Sequence, residues 1–286
     1  MKTGTRFGPA KDTRWLAAWI GVTLLLVLWD ARYLNKPAFD RVITGFVNTF
    51  TIAFLVIAFT LALGWLTANA LHRLESRGRR AAAMTLTFLL NLLRSVPQVV
   101  GILFGYVGVS ALHDAGVLTG PLTIFPLLAL CMSLFIFTEL ADLMRERISH
   151  FTQSDFYSAM RVCGIPEGRI VNVDILWKNS RVHIFNKLIS VFGMAVFLQC
   201  SVDFIISVGL STDVNEVSLP ATLGNLLAKI DSKQDILAIG YSLFHPSYIG
   251  NLFFRHLQGL TVAFLIVFTL LCVYNIANGF AERHKL

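Results

Sequence analysis

Residues 47–71 read VNTFTIAFLVIAFTLALGWLTANAL, and this stretch decides the fold. No Asp, Glu, Lys or Arg interrupts it. A helix needs about 20 predominantly apolar residues to cross a hydrocarbon core of roughly 30 Å, and this run is long enough. Comparable runs lie on either side of it, at about 15–33, 97–112, 121–143, 184–210 and 257–280. The reading is an all-α membrane protein with about six transmembrane helices. Composition agrees: 55% of the residues are hydrophobic and 14% charged, whereas soluble domains carry roughly 25% charged residues. The first run is followed by Trp29-Asp30-Ala31-Arg32 in place of a small-residue cleavage site, so it reads as a retained helix and not a signal peptide.

Residues 81–93 are apolar but end at Arg94, and Pro97 follows closely. Proline disfavours helix at the residue before it. The stretch therefore reads as an interfacial lead-in to the third span, with one long kinked helix as the alternative. Cys131, Cys163, Cys200 and Cys272 are far apart and form no C-x-x-C pair; they read as small packing residues.

Positive charge orients the chain. Lys2, Arg6, Lys11 and Arg14 precede the first span, and Arg73, Arg77, Arg79 and Arg80 follow the second. Arg145, Arg147, Arg161, Arg169, Lys178 and Arg181 fill the connection after the fourth, and Arg283 and Lys285 lie near the end. The opposite segments hold only Arg32, Lys36, Arg41, Lys229, Lys233 and Arg255. Lys/Arg excess marks the cytoplasmic side, so both termini and residues 155–181 are expected inside, and residues 211–250 outside. The net charge of +7 then follows from topology. The basic residues are spread over separate loops without stacking aromatics, which argues against nucleic-acid binding.

The longest inner excursion contains DFYSAMRVCGIPEGRIVNVDILWKNSR at residues 155–181. Its first part is a short amphipathic helix in which Phe156, Met160 and Val162 or Cys163 share an apolar side. Thr152 or Ser154 is placed to cap its start, and Gly164 with Pro166 stops it. A second short helix is expected over 167–176. So short a helix is marginal in water by itself, so its apolar ridge needs a protein partner or the membrane surface.

This segment resembles the cytoplasmic coupling loop of permease subunits of type I ABC importers, most closely the oligopeptide/dipeptide/nickel group. Against that group's pattern, Asp155, Ala159, Arg161, Gly164, Arg169, Ile170, Ile175 and Leu176 are identical without a gap, and Phe156 and Glu167 are near-equivalents. Ser158 stands where the family has Glu, and Trp177 where it has Pro. Weaker similarities lie in LRSVPQVV at 93–100, in Ser207-Val208-Gly209-Leu210, in Leu223-Gly224-Asn225 and in the Asn275 to Gly279 ending. The resemblance implies a first segment over 1–46 and an importer transmembrane domain over 47–286, with its coupling loop near 152–180 and an outer segment near 211–250. It also implies a place in the inner membrane of a prokaryote. There a second permease, two ATP-binding subunits and an external solute-binding protein would complete the transporter. Asp155, Phe156, Ala159, Met160, Arg161, Gly164, Arg169, Ile170 and Leu176 would form the ATPase-coupling loop. The chain has no G-x-x-x-x-G-K-[ST] phosphate loop, so no cofactor is expected in it, and ATP and Mg²⁺ would sit on the partner ATPases. Peptides are the commonest cargo of the group; nickel or metal chelates, amino acids and phosphonates are the alternatives.

Ionisable groups inside a membrane are costly and point to function or to pairing. Glu139 and Asp142 read as an ion-pair cluster near Arg145 and Arg147, and Arg94 as a residue snorkelling to the inner interface. Gln199 and Asp203 share a helix face and, with Gln98, are candidates to line a path; packing is the alternative. Gly101 and Gly105, with Gly108 behind them, form a helix-packing stripe. His113, His245 and His256 match no metal-ligand spacing. No H-E-x-x-H or G-x-S-x-G motif supports an intramembrane enzyme, so no catalytic residue is expected. No internal repeat supports a secondary transporter.

Overall fold

In the computed structural model, which describes residues 10–207 and 219–285, the chain is helical, with no strand among the described residues. The helices are α1 (Lys11–Tyr33), α2 (Lys36–Ser76), α3 (Arg80–Ser95), α4 (Gln98–Asp114), α5 (Pro121–Thr152), α6 (Asp155–Val162), α7 (Glu167–Arg169), α8 (Arg181–Ile205), α9 (Leu223–Ala228), α10 (Ile230–Phe244), α11 (Ile249–Arg255) and α12 (Leu257–His284). A π-helical segment, Ile170–Asn179, joins α7 to α8. Five helices, α1, α2, α5, α8 and α12, are long and apolar enough to cross a membrane. Helices α3 and α4 meet at an angle of 89° and pass the same test only as a pair. The bend falls at Val96 and Pro97, where proline lacks the amide a continuing helix needs. The break falls where the sequence places it, between the apolar stretch ending at Arg94 and the third span.

The contacts form two compact units, residues 1–47 with 221–286, and residues 48–220. The first segment thus groups with the C-terminal stretch.

In the first unit α1 and α12 run antiparallel. Lys11 pairs with Glu282 at 2.9 Å and Arg283 with Asp12 at 3.0 Å at one end. Trp19 donates to Thr269 at 3.0 Å midway, and Thr261 donates to Asp30 at 3.0 Å near the other end. A Cβ at Gly279 would lie 2.6 Å from the backbone nitrogen of Asp12, so glycine permits this crossing. The outward face of α1 is apolar: Leu24 and Leu28 are 61% and 63% exposed. Against water such a face costs roughly 25 cal/mol per Å²; against lipid it costs nothing. Counting the bent α3–α4 pair as one span raises the helices able to cross a membrane from five to six. The chain is therefore a multi-pass, all-α membrane protein.

The start of α12 is capped from another helix. Asp235 on α10 accepts from the Gly259 amide through Oδ2 at 2.8 Å and contacts His256 Nδ1 through Oδ1 at 2.8 Å, and Tyr248 Oη meets His256 Nε2 at 2.8 Å. A carboxylate suits a helix N-terminus because it meets free N–H groups and the positive end of the dipole. Helices α9 and α10 fall within the segment 211–250 that the Lys/Arg rule places outside, and residues 211–218 of it lie outside the described residues.

In the second unit the core gathers Ala68 of α2, Leu140, Met144 and Ile148 of α5, Ile170, Val171, Ile175 and Leu176 of the π-helical segment, and Ile184 and Leu188 of α8. Helices α4 and α5 also pack closely. A Cβ at Gly101 would lie 2.3 Å from the Phe135 ring, and one at Gly105 would lie 2.9 Å from the Cys131 Cβ. Gly108 meets nothing within 4 Å and takes no part in the stripe.

Candidate functional site

The loop after α5 folds into a small module. Thr152 ends α5 and Ser154 occupies the N-cap position of α6. Its hydroxyl does not cap: it donates back to the Phe151 carbonyl at 2.6 Å. Helix α6 stops at Cys163, and Gly164 follows with φ +78°, a left-handed conformation that glycine adopts without steric cost. The Ile165 amide then bonds back to the Met160 carbonyl at 3.2 Å, satisfying an orphan acceptor at the helix end. Pro166 starts α7, and the helix widens into the π-helical turns of Ile170–Asn179. Sequence reasoning expected a second helix over 167–176; its widening carries no composition signal.

The matched loop residues divide by environment. Ile170, Ile175 and Leu176 are fully buried in the α2–α5–α8 core, where they fasten the module to the bundle. Tyr157, Met160 and Ile165 pack partly against that core. The apolar side expected to join Phe156, Met160 and Val162 or Cys163 is therefore split: Met160 turns inward, while Phe156 (39% exposed), Val162 (88% exposed) and Cys163 face away. Asp155, Ala159, Arg161 and Arg169 are also exposed.

Polar contacts tie the module to α2. Trp65 Nε1 donates to Asn172 Oδ1 at 2.7 Å, and Asn172 Nδ2 donates to the Gly168 carbonyl at 2.8 Å. Glu167 is a junction: His72 Nε2 meets its Oε1 at 2.9 Å and Arg161 approaches its Oε2 at 3.8 Å. Burial, together with the nearby Glu167 carboxylate, pushes the Tyr157 hydroxyl above its ordinary value, so it stays protonated at neutral pH. Beside this junction lies a polar cavity of about 330 Å³ lined by Asn69, His72, Ser76 and Glu167 among others. No spacing or motif links Trp65, His72 and Asn172, and residues so far apart come together only through the fold.

The intramembrane acids find partners on other helices. Asp142 pairs with Arg94 at 2.6 Å, Glu139 with Lys187 at 2.6 Å and Arg145 with Glu75 at 2.6 Å, whereas Arg147 donates to Ser180 at 3.3 Å. The cluster expected of Glu139 and Asp142 with Arg145 and Arg147 is instead a set of separate pairs, in which Arg145 and Arg147 do not neutralise Glu139 and Asp142. A Glu139–Arg contact one or two turns along α5 would leave both charges on one helix; the observed pairs instead join α5 to α3 and α8.

Gln98 donates to the Phe135 carbonyl at 3.2 Å in the first turn of α4. Gln199 is 0% and Asp203 6% exposed, one turn apart on α8. Both amide atoms of Gln199 lack a hydrogen-bond partner among the described residues, and a buried unsatisfied polar group costs about 1–3 kcal/mol. Tyr106, fully enclosed, donates weakly to the Met132 sulfur at 3.5 Å; this residue was missed because a tyrosine in an apolar run looks like packing. Gln199 and Asp203 thus lie one turn apart and buried on α8, while Gln98 lies in the first turn of α4. His113 contacts the Leu118 carbonyl at 2.6 Å, and His245 stacks on Tyr241. Among the described residues no three His, Cys, Asp or Glu side chains are gathered as metal ligands.

No model of a known protein family matches this chain, and no curated protein matches it.

Proposed function

We propose that the chain is the transmembrane permease subunit of an ATP-driven type I ABC importer that moves short peptides or peptide-like small solutes into the cytoplasm. The observation that carries this reading is the module after α5. A short helix presents Phe156, Val162 and Cys163 outward, while Ile170, Ile175 and Leu176 root its base in the core formed by α2, α5 and α8. An exposed apolar helix on a rigid base is suited to pass a push from a partner into the membrane helices. It lies in the inner segment that holds Arg161, Arg169 and Lys178, which the Lys/Arg rule assigns to the cytoplasm together with both termini.

In this mechanism the partner ATPases hold ATP and Mg²⁺ and seat α6 in a groove, where closure of the ATPases shifts the module. Tyr157, Met160 and Ile165 transmit the shift to the core, and Trp65–Asn172 and His72–Glu167 carry it to α2. A second permease subunit completes the path, and an external solute-binding protein delivers cargo to the side opposite α6. The membrane is the inner membrane of a prokaryote. The unsatisfied amide of Gln199, beside Asp203, supplies a polar site that a change of helix packing can open, without a cluster that would hold cargo tightly. The sparse polar lining favours peptides over nickel, metal chelates, amino acids or phosphonates, since weak contacts suit a path whose selectivity lies in the binding protein.

Uptake by a strain lacking the gene tests the cargo. Labelled di- to oligopeptides are expected to stop entering and to enter again when the gene is restored. Normal peptide uptake with lost nickel or amino-acid uptake would overturn the peptide assignment. Unchanged uptake of every solute, with a purified chain that brings no nucleotide-hydrolysing subunit, would overturn the importer reading.

A further inference from the structure

An apolar groove of about 590 Å³ lies in the first unit between α1, α10, α11 and α12. Val22, Leu25 and Trp29 form one wall, and Leu257, Leu260 and Phe264 form another. Val22 to Trp29 covers roughly 10 Å of helix rise, and so does Leu257 to Phe264. Since α1 and α12 are antiparallel, Trp29 and Leu257 mark one end of the groove, while Val22 and Phe264 lie toward the middle of the membrane. Its depth therefore fits within a single leaflet of a core roughly 30 Å thick. Among the described lining residues, Thr261 directs its hydroxyl to Asp30 at 3.0 Å and Trp29 its Nε1 to the Phe253 carbonyl, so they offer little to a polar ligand.

The mouth is different in kind. Trp29, Tyr33 and Phe254 form an aromatic cluster with ring centroids 4.5–6.0 Å apart, and Trp29 Nε1 donates to the Phe253 carbonyl at 3.4 Å. Aromatic rings of this kind settle at the headgroup level. Arg32, whose guanidinium lies 5.7 Å from the Tyr33 ring, and Arg255, next to Phe254, flank the cluster. Both are exposed, and neither has a carboxylate partner among the described residues.

We propose that the groove is a binding site for an anionic phospholipid, one acyl chain lying along α1 and α12 and the phosphate pairing with Arg32 and Arg255. The apolar trough sets the chain, its depth sets the leaflet, and the two guanidiniums set the headgroup charge. The claim rests on the membrane-spanning nature of α1 and α12 and holds whatever the chain transports.

The test is native mass spectrometry of the full-length chain extracted from bilayers of equal phosphatidylglycerol and phosphatidylcholine with the same acyl chains. The wild-type protein is expected to retain phosphatidylglycerol roughly thirtyfold over phosphatidylcholine, since each of the two basic residues near the surface contributes about 1 kcal/mol. Arg32→Gln with Arg255→Gln should bring the ratio to about one, while Arg41→Gln, at an exposed arginine of α2 that lines no part of the groove, should leave it unchanged. Leu25→Trp, at an exposed position of the trough, should reduce retention of both lipids. Equal retention of the two lipids by wild type, or an undiminished preference in the double arginine variant, would overturn the proposal. Should Leu25→Trp not remain monodisperse, the arginine variants decide by themselves.

Discussion

Replacing Gly164 by glutamate is expected to abolish transport while leaving the chain in the membrane. Gly164 has φ +78°, and an L-residue held in that region costs about 1–2 kcal/mol. A Cβ there meets nothing within 4 Å, so the defect is one of backbone conformation and not of packing. The turn relaxes toward negative φ, the Ile165-to-Met160 bond is lost, and α6 swings relative to the core in which Ile170 and Leu176 stay buried. Transport should fall at least tenfold, and ATPase association should weaken, with membrane yield unchanged. Gly164→Asn, which tolerates the left-handed region better than other residues, should retain much of the activity. Full transport by Gly164→Glu would remove the coupling role of the module, and loss by Gly164→Asn equal to that of Gly164→Glu would mean that something other than φ is at work.

The second large effect is expected at Gly279. Its absent Cβ leaves room for the backbone of Asp12, 2.6 Å away, and a backbone atom cannot rotate aside as a side chain can. Gly279→Val must push α1 from α12, disturbing the Lys11–Glu282 and Arg283–Asp12 pairs. Overpacking of this sort costs about 3 kcal/mol at the upper end of its usual range. The same substitution at Gly21, where a Cβ meets nothing within 4 Å, should cost little. Thermal unfolding in detergent, followed by size-exclusion recovery, checks the pair: Gly279→Val should unfold well below wild type and Gly21→Val close to it. Equal midpoints for the two variants would mean that the α1–α12 crossing is looser than the structure has it.

The membrane helices were legible because hydrocarbon thickness imposes a length that an apolar run displays. Residues 121–143 and 257–280 thus lie inside α5 and α12, and Pro97 marked the sharp break before α4. Where water permits helix to continue, that rule is silent: α2 begins at Lys36, well before residue 47, and α5 continues to Thr152. The loop was legible locally, since Gly164 followed by Pro166 forces a turn. Which side of α6 faces inward was not, because Met160 and Val162 are equally apolar and only the position of the core separates them. Partners distant in sequence were beyond reach for the same reason. Asp142 meets Arg94 and Glu139 meets Lys187 because of how α3, α5 and α8 pack, and a charge count identifies the participants without the pairs. Asp30, buried beside Thr261, escaped notice because it closes an apolar run and resembles an interfacial residue. The Leu210 end of the short Ser207 similarity lies outside the described residues, so the resemblance there has no structural counterpart to compare.

Native Cys163 gives the most direct test of the central claim, that α6 faces the cytoplasm and docks a nucleotide-hydrolysing partner. It is exposed at the end of α6, whereas Cys200 and Cys272 are buried and Cys131 is partly covered. A membrane-impermeant maleimide should leave Cys163 unmodified in intact cells and label it in inside-out vesicles. Labelling should become several-fold faster once peripheral subunits are stripped from those vesicles. Modification of Cys163 from outside intact cells, or one labelling rate with and without peripheral subunits, would contradict it.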